Sequence, residues 1–388
     1  MAPLSGLLVV DLTRHLPGPL AAHLLADLGA RVIKIEEPAL GDPVRQAPPR
    51  RGDLGALAAI LLSGVESVAL DLKQPAGRRV LEALLARADV LLESFRPGTL
   101  ERLGFAPESL RARYPLLILC SISGWGQSGP YAARAGHDLT YQALAGSLAP
   151  TAPPTMPAVP VADLTGAWSA VTAILASLIE RDRTGEGKHI DVALFDGAVH
   201  ANLASWAAEA GGAKKVGESL PLTGALPCYS LYRTAEGDTL ALAALEPHFW
   251  ERFCRAAGRP DLIRRQYSAR ERSRRKVAAL IRSRTRAEWL ELLAREDIPA
   301  EMVLSAAEAR THPQARERGM LTDGPDSLPR LGFPVLLDGA RPRAGDRVPA
   351  LGEQTGAVLE ELGMDKEKKE KGIGRRFSWK RLLARWLS

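Results

Sequence analysis

Near the start of the chain, an apolar run, a helix-period stretch and a second apolar run follow one another directly. Leu7-Leu8-Val9-Val10-Asp11-Leu12 reads as a short buried strand, and Leu16-Pro17-Gly18-Pro19 as the loop that leaves it. Leu20 to Leu28 carries a helical pattern stopped by Gly29, and Arg31-Val32-Ile33-Lys34-Ile35-Glu36 is the next strand. The chain therefore opens as a β-loop-α-β unit. A helix from Gln74 to Ala88 and strands at Val90–Glu93 and Leu116–Ser121 continue the alternation. This order predicts an α/β fold with a parallel sheet covered on both faces and ligands at the carboxyl ends of its strands. No Gly-x-Gly-x-x-Gly fingerprint follows the first strand and no phosphate-loop motif occurs, so NAD and ATP are poorly supported.

The proline-rich stretch Thr151 to Pro160 predicts an extended loop too short to link domains. A long apolar helix is expected from about Gly166 to Ile179, then a turn at Arg183–Lys188 and a strand at His189–Phe195. A second region begins after the Gly/Lys-rich break at 211–217. Its first feature is a hairpin over Tyr229–Leu242 with a Glu-Gly turn, and helices carry it to about Ala309.

The net charge of +6 matters only once it is located. From Asp365 to Ser388 there are nine Lys/Arg and three Asp/Glu, so this tail equals the whole excess. The body is thus balanced, and nucleic acid is not an expected partner despite a pI near 9.3. The stretch from Arg252 to Arg286 is also basic, but Tyr267 alone among aromatic residues alternates with the charges from Arg264 to Lys276, which fits a solvated helical face. Three widely spaced cysteines, Cys120, Cys228 and Cys254, suit a reducing cytoplasm and argue against a disulfide framework or a metal site. The first residues read as a strand and not as a signal peptide, and no apolar run is expected to reach membrane-spanning length.

Three positions stand out for acid–base chemistry. His137 lies in the Gly/Pro loop Gln127–Asp138, at the junction with a helix that the apolar run Ala143-Leu144-Ala145 suggests beyond the loop; it either faces a ligand or closes a turn. Asp163 ends an apolar run and precedes the long helix, where it could serve as an N-cap. Glu246 follows the hairpin and precedes another helix, with capping again the alternative. Separations of 26 and 83 residues leave open whether the three meet.

A set of short markers gives the chain a family resemblance. They include Leu4-Ser5-Gly6-Leu7, Ala26–Glu36, Leu70-Asp71-Leu72-Lys73, Ser94-Phe95-Arg96-Pro97-Gly98, Gly124–Gly129, Arg183–Gly187 and Leu351-Gly352-Glu353-Gln354-Thr355. In order and spacing the chain resembles the family III CoA-transferases (CaiB/BaiF type), and within them the α-methylacyl-CoA racemase branch, over residues 3–363. The resemblance implies a Rossmann-like large domain from 1–200 and 325–388, a small α+β domain at about 220–318, and an interlocked homodimer. It implies His137, assisted by Glu246, and Asp163 as catalytic groups. In racemases the carboxylate is a base; in transferases it is a nucleophile that forms an acyl-enzyme anhydride. Coenzyme A enters as part of the thioester substrate, with no covalent cofactor and no metal. Its expected contacts are Lys34, Leu70, Asp71, Leu72, Lys73, Arg96, Gly136, Asp138 and Tyr141. The glycine-rich loop of transferases is reduced here to Gly211-Gly212, which favours a 2-methylacyl-CoA racemase over a transferase. A catalytically silent CoA-fold protein is a third reading.

Racemisation needs one group to take a proton from the carbon beside the thioester and another to supply one from the opposite face. Backbone N–H groups after His137 are candidate donors to the enolate-like oxygen. Glu37 and Glu66 stand where the family has cations, so the 3′-phosphate of CoA is expected to bind weakly or to use Arg45, Arg50 or Arg51. The tail at 365–388 lies beyond the resemblance. There Trp379, Leu382, Leu383, Trp386 and Leu387 fall on one helical face, with Arg376, Lys380, Arg381 and Arg385 around them. That face fits either docking on the protein itself or a weak contact with an anionic membrane.

Overall fold

The computed structural model describes residues 2–148, 155–213 and 221–364; the basic tail lies outside the described residues. Among the described residues the chain divides into two compact units. The first takes the chain up to Tyr141, Pro160–Ala198 and the chain from Pro313; the second takes Gln142–Val159 and Val199–His312. The chain therefore returns to the first unit at Pro313 and not at 325, and the described residues 142–148 and 155–159 go with the second unit.

The first unit is built on six parallel strands: β1 (Leu8–Asp11), β2 (Arg31–Glu36), β3 (Glu66–Ala69), β4 (Val90–Glu93), β5 (Ile118–Ser123) and β6 (His189–Ala193). Their order across the sheet is β3-β2-β1-β4-β5-β6, the doubly wound arrangement, with its switch point between β1 and β4. Of these, β3 has no counterpart in the sequence reading: four residues with Glu and Ser among them carry little apolar signal.

Helices cover both faces. Helix α1 (Pro17–Asp27) starts with proline at its first turn, three residues earlier than the apolar period suggests, because Pro fits that position without losing a hydrogen bond. Helix α2 (Pro75–Leu85) buries Val80, Leu81, Leu84 and Leu85 against Val10, Ile33, Val68, Leu91 and Leu119 of the sheet. Helix α3 is Asp138–Leu144, so a helix does follow the glycine loop, and His137 stands directly at the loop-to-helix junction. Helix α4 runs over Val161–Thr184 and packs against α1, β5 and β6. By length and composition α4 could cross a membrane, contrary to the expectation that no segment would. Its buried stripe of Ala162, Gly166, Ala167, Ala170, Val171, Ile174, Ser177 and Leu178 is that of a core helix.

The exposed edge of β3 is closed by the returning end of the chain. Ser67 N–H donates to Gln354 Oε1 at 2.8 Å, Gln354 N–H donates to the Ser67 carbonyl at 2.9 Å, and Ala69 N–H reaches Thr355 Oγ1 at 2.9 Å. The marker Leu351–Thr355 thus acts as an edge cover, which stops further strand pairing.

In the second unit β7 (Tyr229–Arg233), β8 (Thr239–Ala243) and β9 (Ala300–Met302) form an antiparallel sheet in the order β9-β8-β7. The hairpin was legible; its third strand, separated from it by helices, was not. Helix α5 (Pro247–Ala256) contributes Trp250 and Phe253 to a core with Trp289, Val277 and Ile281, and Phe253 stacks between the two indoles.

Candidate active site

The site in the first unit begins where β5 ends. Asp191, on β6 next to β5, accepts the Gln127 N–H on both carboxylate oxygens, at 3.1 and 2.9 Å, and so fixes the glycine loop that follows β5. This loop presents Trp125, whose ring meets Tyr141 edge-on at 4.8 Å, Tyr131 at 5.2 Å and Phe195 at 5.6 Å. Gly124 and Gly136 lie against Tyr141: a Cβ at Gly124 would sit 2.2 Å from its hydroxyl, and one at Gly136 2.5 Å from its Cε1. Glycine at these two places is therefore steric, a matter of room for the ring.

Asp138 joins the loop to α4. Its Oδ1 accepts the backbone N–H groups of Ala162 at 2.8 Å and of Asp163 at 3.2 Å. A carboxylate from another element thus satisfies the orphan donors of the helix. Asp163 is freed from capping, and its carboxyl is pushed up to about 6 by burial and by the Asp138 charge. The Tyr141 hydroxyl is pushed up to about 12, by burial first, then by Asp163 and Asp138, with Arg96 pulling the other way. Asp138, Tyr141, Asp163 and Arg96 therefore share one electrostatic neighbourhood, and the exposed His137 stands at its edge, directly before Asp138. A half-buried carboxyl near 6 can take or give a proton at neutral pH.

Two of the backbone donors after His137 are used within the helix. Thr140 N–H and Tyr141 N–H both turn back on the His137 carbonyl, at 2.8 and 3.2 Å, and His137 N–H donates to Thr140 Oγ1 at 3.0 Å. These two groups close the first turn of α3.

Several expected CoA contacts need correction. The Lys34 ammonium is 1% exposed: it donates to Asp11 Oδ2 at 3.1 Å and to the Thr13 carbonyl at 2.8 Å, and lies 3.1 Å from Asp42 Oδ2. It holds the carboxyl ends of β1 and β2 together and has no face open to a ligand. Leu70 is 3% exposed and belongs to the core, and Leu72 packs on that core. Asp71 Oδ1 accepts the Lys73 N–H at 2.9 Å, which shapes the turn after β3 and leaves the Lys73 side chain exposed. Arg96 is likewise exposed, on the loop after β4. Among the phosphate alternatives, Arg45 is enclosed with Glu36, 2.7 Å away, and donates to the Pro349 carbonyl. Arg50 and Arg51 remain exposed.

The two acids also lie differently. Glu66 opens β3 at its amino end and pairs with Arg31 at 2.7 Å. That is about 10 Å along the strand from the carboxyl end where ligands gather. Glu37 Oε2 accepts the Ala39 and Leu40 N–H groups at 3.1 and 2.8 Å, capping the turn after β2.

Glu246 belongs to the second unit. It is exposed, extended (φ −76°, ψ 140°), and precedes α5 without capping it through its side chain. Sequence reasoning missed the row Glu93, Ser121 and Asp191 on adjacent strands, with Ser121 Oγ 3.0 Å from His189 Nε2. Polar residues within otherwise apolar strands, Glu93 and Ser121 buried and Asp191 exposed, were its only sequence signal. Among the described residues there is no group of three or more His, Cys, Asp and Glu that could hold a metal.

A doubly wound parallel sheet, with the half-buried Asp163 carboxyl and its Asp138 partner beyond the carboxyl end of β5, defines a mixed α/β architecture. The chain belongs to the CoA-transferase family III, whose model matches residues 4–355. It is 34% identical over 380 residues to the alpha-methylacyl-CoA racemase of Homo sapiens, covering 94% of each chain. It is also 34% identical over 385 residues to the acetyl-CoA:oxalate CoA-transferase of Acetobacter aceti, covering 94% of this chain and 97% of that one. The crystal structure of a CAIB/BAIF family protein from Brucella suis matches with a TM-score of 0.82 at 33% identity, over 93% of this chain and 99% of that one.

Proposed function

We propose that this protein racemises 2-methylacyl-CoA thioesters. One group removes the α-proton, the C–H electron pair moves into the thioester carbonyl to give an enolate, and a second group returns a proton on the opposite face. His137 and Asp163 take these two roles and exchange them according to the enantiomer bound. The observation that carries the reading is the Asp163 carboxyl, pushed up to about 6 by burial and by Asp138, the residue that directly follows His137 and caps the helix of Asp163. A proton-holding carboxyl suits acid–base exchange, whereas an acyl-forming nucleophile works as the anion. Glu246 supports the imidazole, and in the proposed homodimer it does so from the partner subunit. Lys73, Arg96, Arg50 and Arg51 are the exposed cations proposed for the CoA phosphates.

The test is incubation of a chiral 2-methylacyl-CoA in D₂O. Deuterium at the α-carbon and loss of optical purity are expected, with both abolished in His137→Ala. A turnover that retains the α-hydrogen would exclude racemisation. The second reading, a CoA-transferase with Asp163 as nucleophile, is favoured by the equal identity to the Acetobacter transferase. Hydroxylamine trapping of Asp163 during turnover with a carboxylate acceptor would support that reading instead.

A further inference from the structure

We infer that Gln266 and Tyr267 are positioning residues for Glu246, a step that rests on the functional reading of Glu246 above. An exposed carboxylate that makes no capping bond takes its direction from its backbone. Pro247 confines Glu246 to the extended region, but it leaves the peptide before Glu246 unconstrained. That peptide is gripped from elsewhere in the second unit. The Leu245 carbonyl accepts Gln266 Nε2 at 2.8 Å and the Tyr267 hydroxyl at 2.8 Å, and the same Gln266 amide lies 3.3 Å from the Ala244 carbonyl. Leu245 N–H donates to the Ala243 carbonyl at 2.9 Å, so the residue before Glu246 is tied at both of its main-chain groups.

The donors differ in setting in a telling way. Gln266 is 7% exposed, and its buried amide must find acceptors. Tyr267 is 56% exposed, yet its hydroxyl is turned onto a main-chain carbonyl although water is within reach. The clamp is itself anchored to the helix that Glu246 opens. Gln266 and Tyr267 follow the 3₁₀ turn Pro260–Arg265, and Trp250 of α5 donates its indole N–H to the Leu262 and Ile263 carbonyls of that turn, at 3.2 and 3.0 Å. Trp250 is fully buried. The chain from Leu245 to Tyr267 thus closes on itself, with Glu246 exposed beside the closure.

Tyr267→Phe and Gln266→Leu remove the donors. Each is expected to lower kcat for α-deuterium exchange by about tenfold or more, with KM for the acyl-CoA ester little changed, since misplacement of a supporting group weakens the transition state more than binding. In a Glu246→Gln background neither substitution should reduce kcat further, because the group they aim is gone. Tyr267→Phe keeps the ring and carries the test if Gln266→Leu does not fold. Losses that multiply with that of Glu246→Gln, or no loss from Tyr267→Phe while Glu246→Gln is impaired, would overturn the clamp alone. Full activity in Glu246→Gln would overturn the role of Glu246 and the clamp together.

Discussion

Asp138 caps the helix in which Asp163 rides: its Oδ1 accepts the Ala162 and Asp163 N–H groups at 2.8 and 3.2 Å. The same carboxylate that orders the helix N-terminus also keeps a proton on its neighbour, after burial has done the larger part.

Asp138→Asn retains an acceptor for the cap and removes the charge. The Asp163 carboxyl should then fall below about 6, because one of its two raising causes is gone and burial alone remains. In a pH profile of deuterium exchange the acidic limb should move to lower pH. An unmoved limb would mean that Asp163 does not feel Asp138.

Asp163→Asn should stabilise the protein at neutral pH. Burial and the Asp138 charge push the folded carboxyl up to about 6, above the ordinary aspartate range, so the native state binds its proton more tightly than the unfolded chain does. Stability from this group is therefore lost as pH rises from about 4 through about 6. Removing the ionisable group should recover about 1–3 kcal/mol at pH 7.5 and nothing at pH 4. Denaturant unfolding at the two pH values reads this directly, and a gain equal at both would refute it.

Lys34→Met should destabilise the fold. It leaves Asp11 and Asp42, 0% and 2% exposed, without their cation. Breaking such a buried group typically costs about 3–5 kcal/mol. A well-folded variant with weakened CoA-ester binding would instead make Lys34 a ligand contact.

Gly136→Ala should lower stability by about 1–3 kcal/mol and reduce exchange activity, since its Cβ would fall 2.5 Å from Tyr141 Cε1. Combined with Tyr141→Leu, which removes the obstructing ring, the losses should be less than additive. Additive losses in unfolding experiments would place the strain elsewhere.

The order of elements and the class of sheet follow from the sequence itself, because strand and helix periods in the first unit are local properties of adjacent residues. Strands β1, β2 and β4 and the β7–β8 hairpin need no partner to be recognised, and the markers that signal the family are continuous stretches. Only tertiary structure decided what the charged residues do. Lys34 and Arg45 read as ligand cations in one dimension, yet packing encloses each with carboxylates from its own layer. Glu66 read as an obstacle to phosphate, yet the direction of β3 puts it at the amino end, paired with Arg31. Asp163 read equally as a helix cap and as a catalytic carboxylate; Asp138, 25 residues earlier, takes the capping place and raises the Asp163 carboxyl. Periodicity records which face of an element is buried, whereas a side chain's charge state and partners depend on groups that only folding brings within a few ångströms.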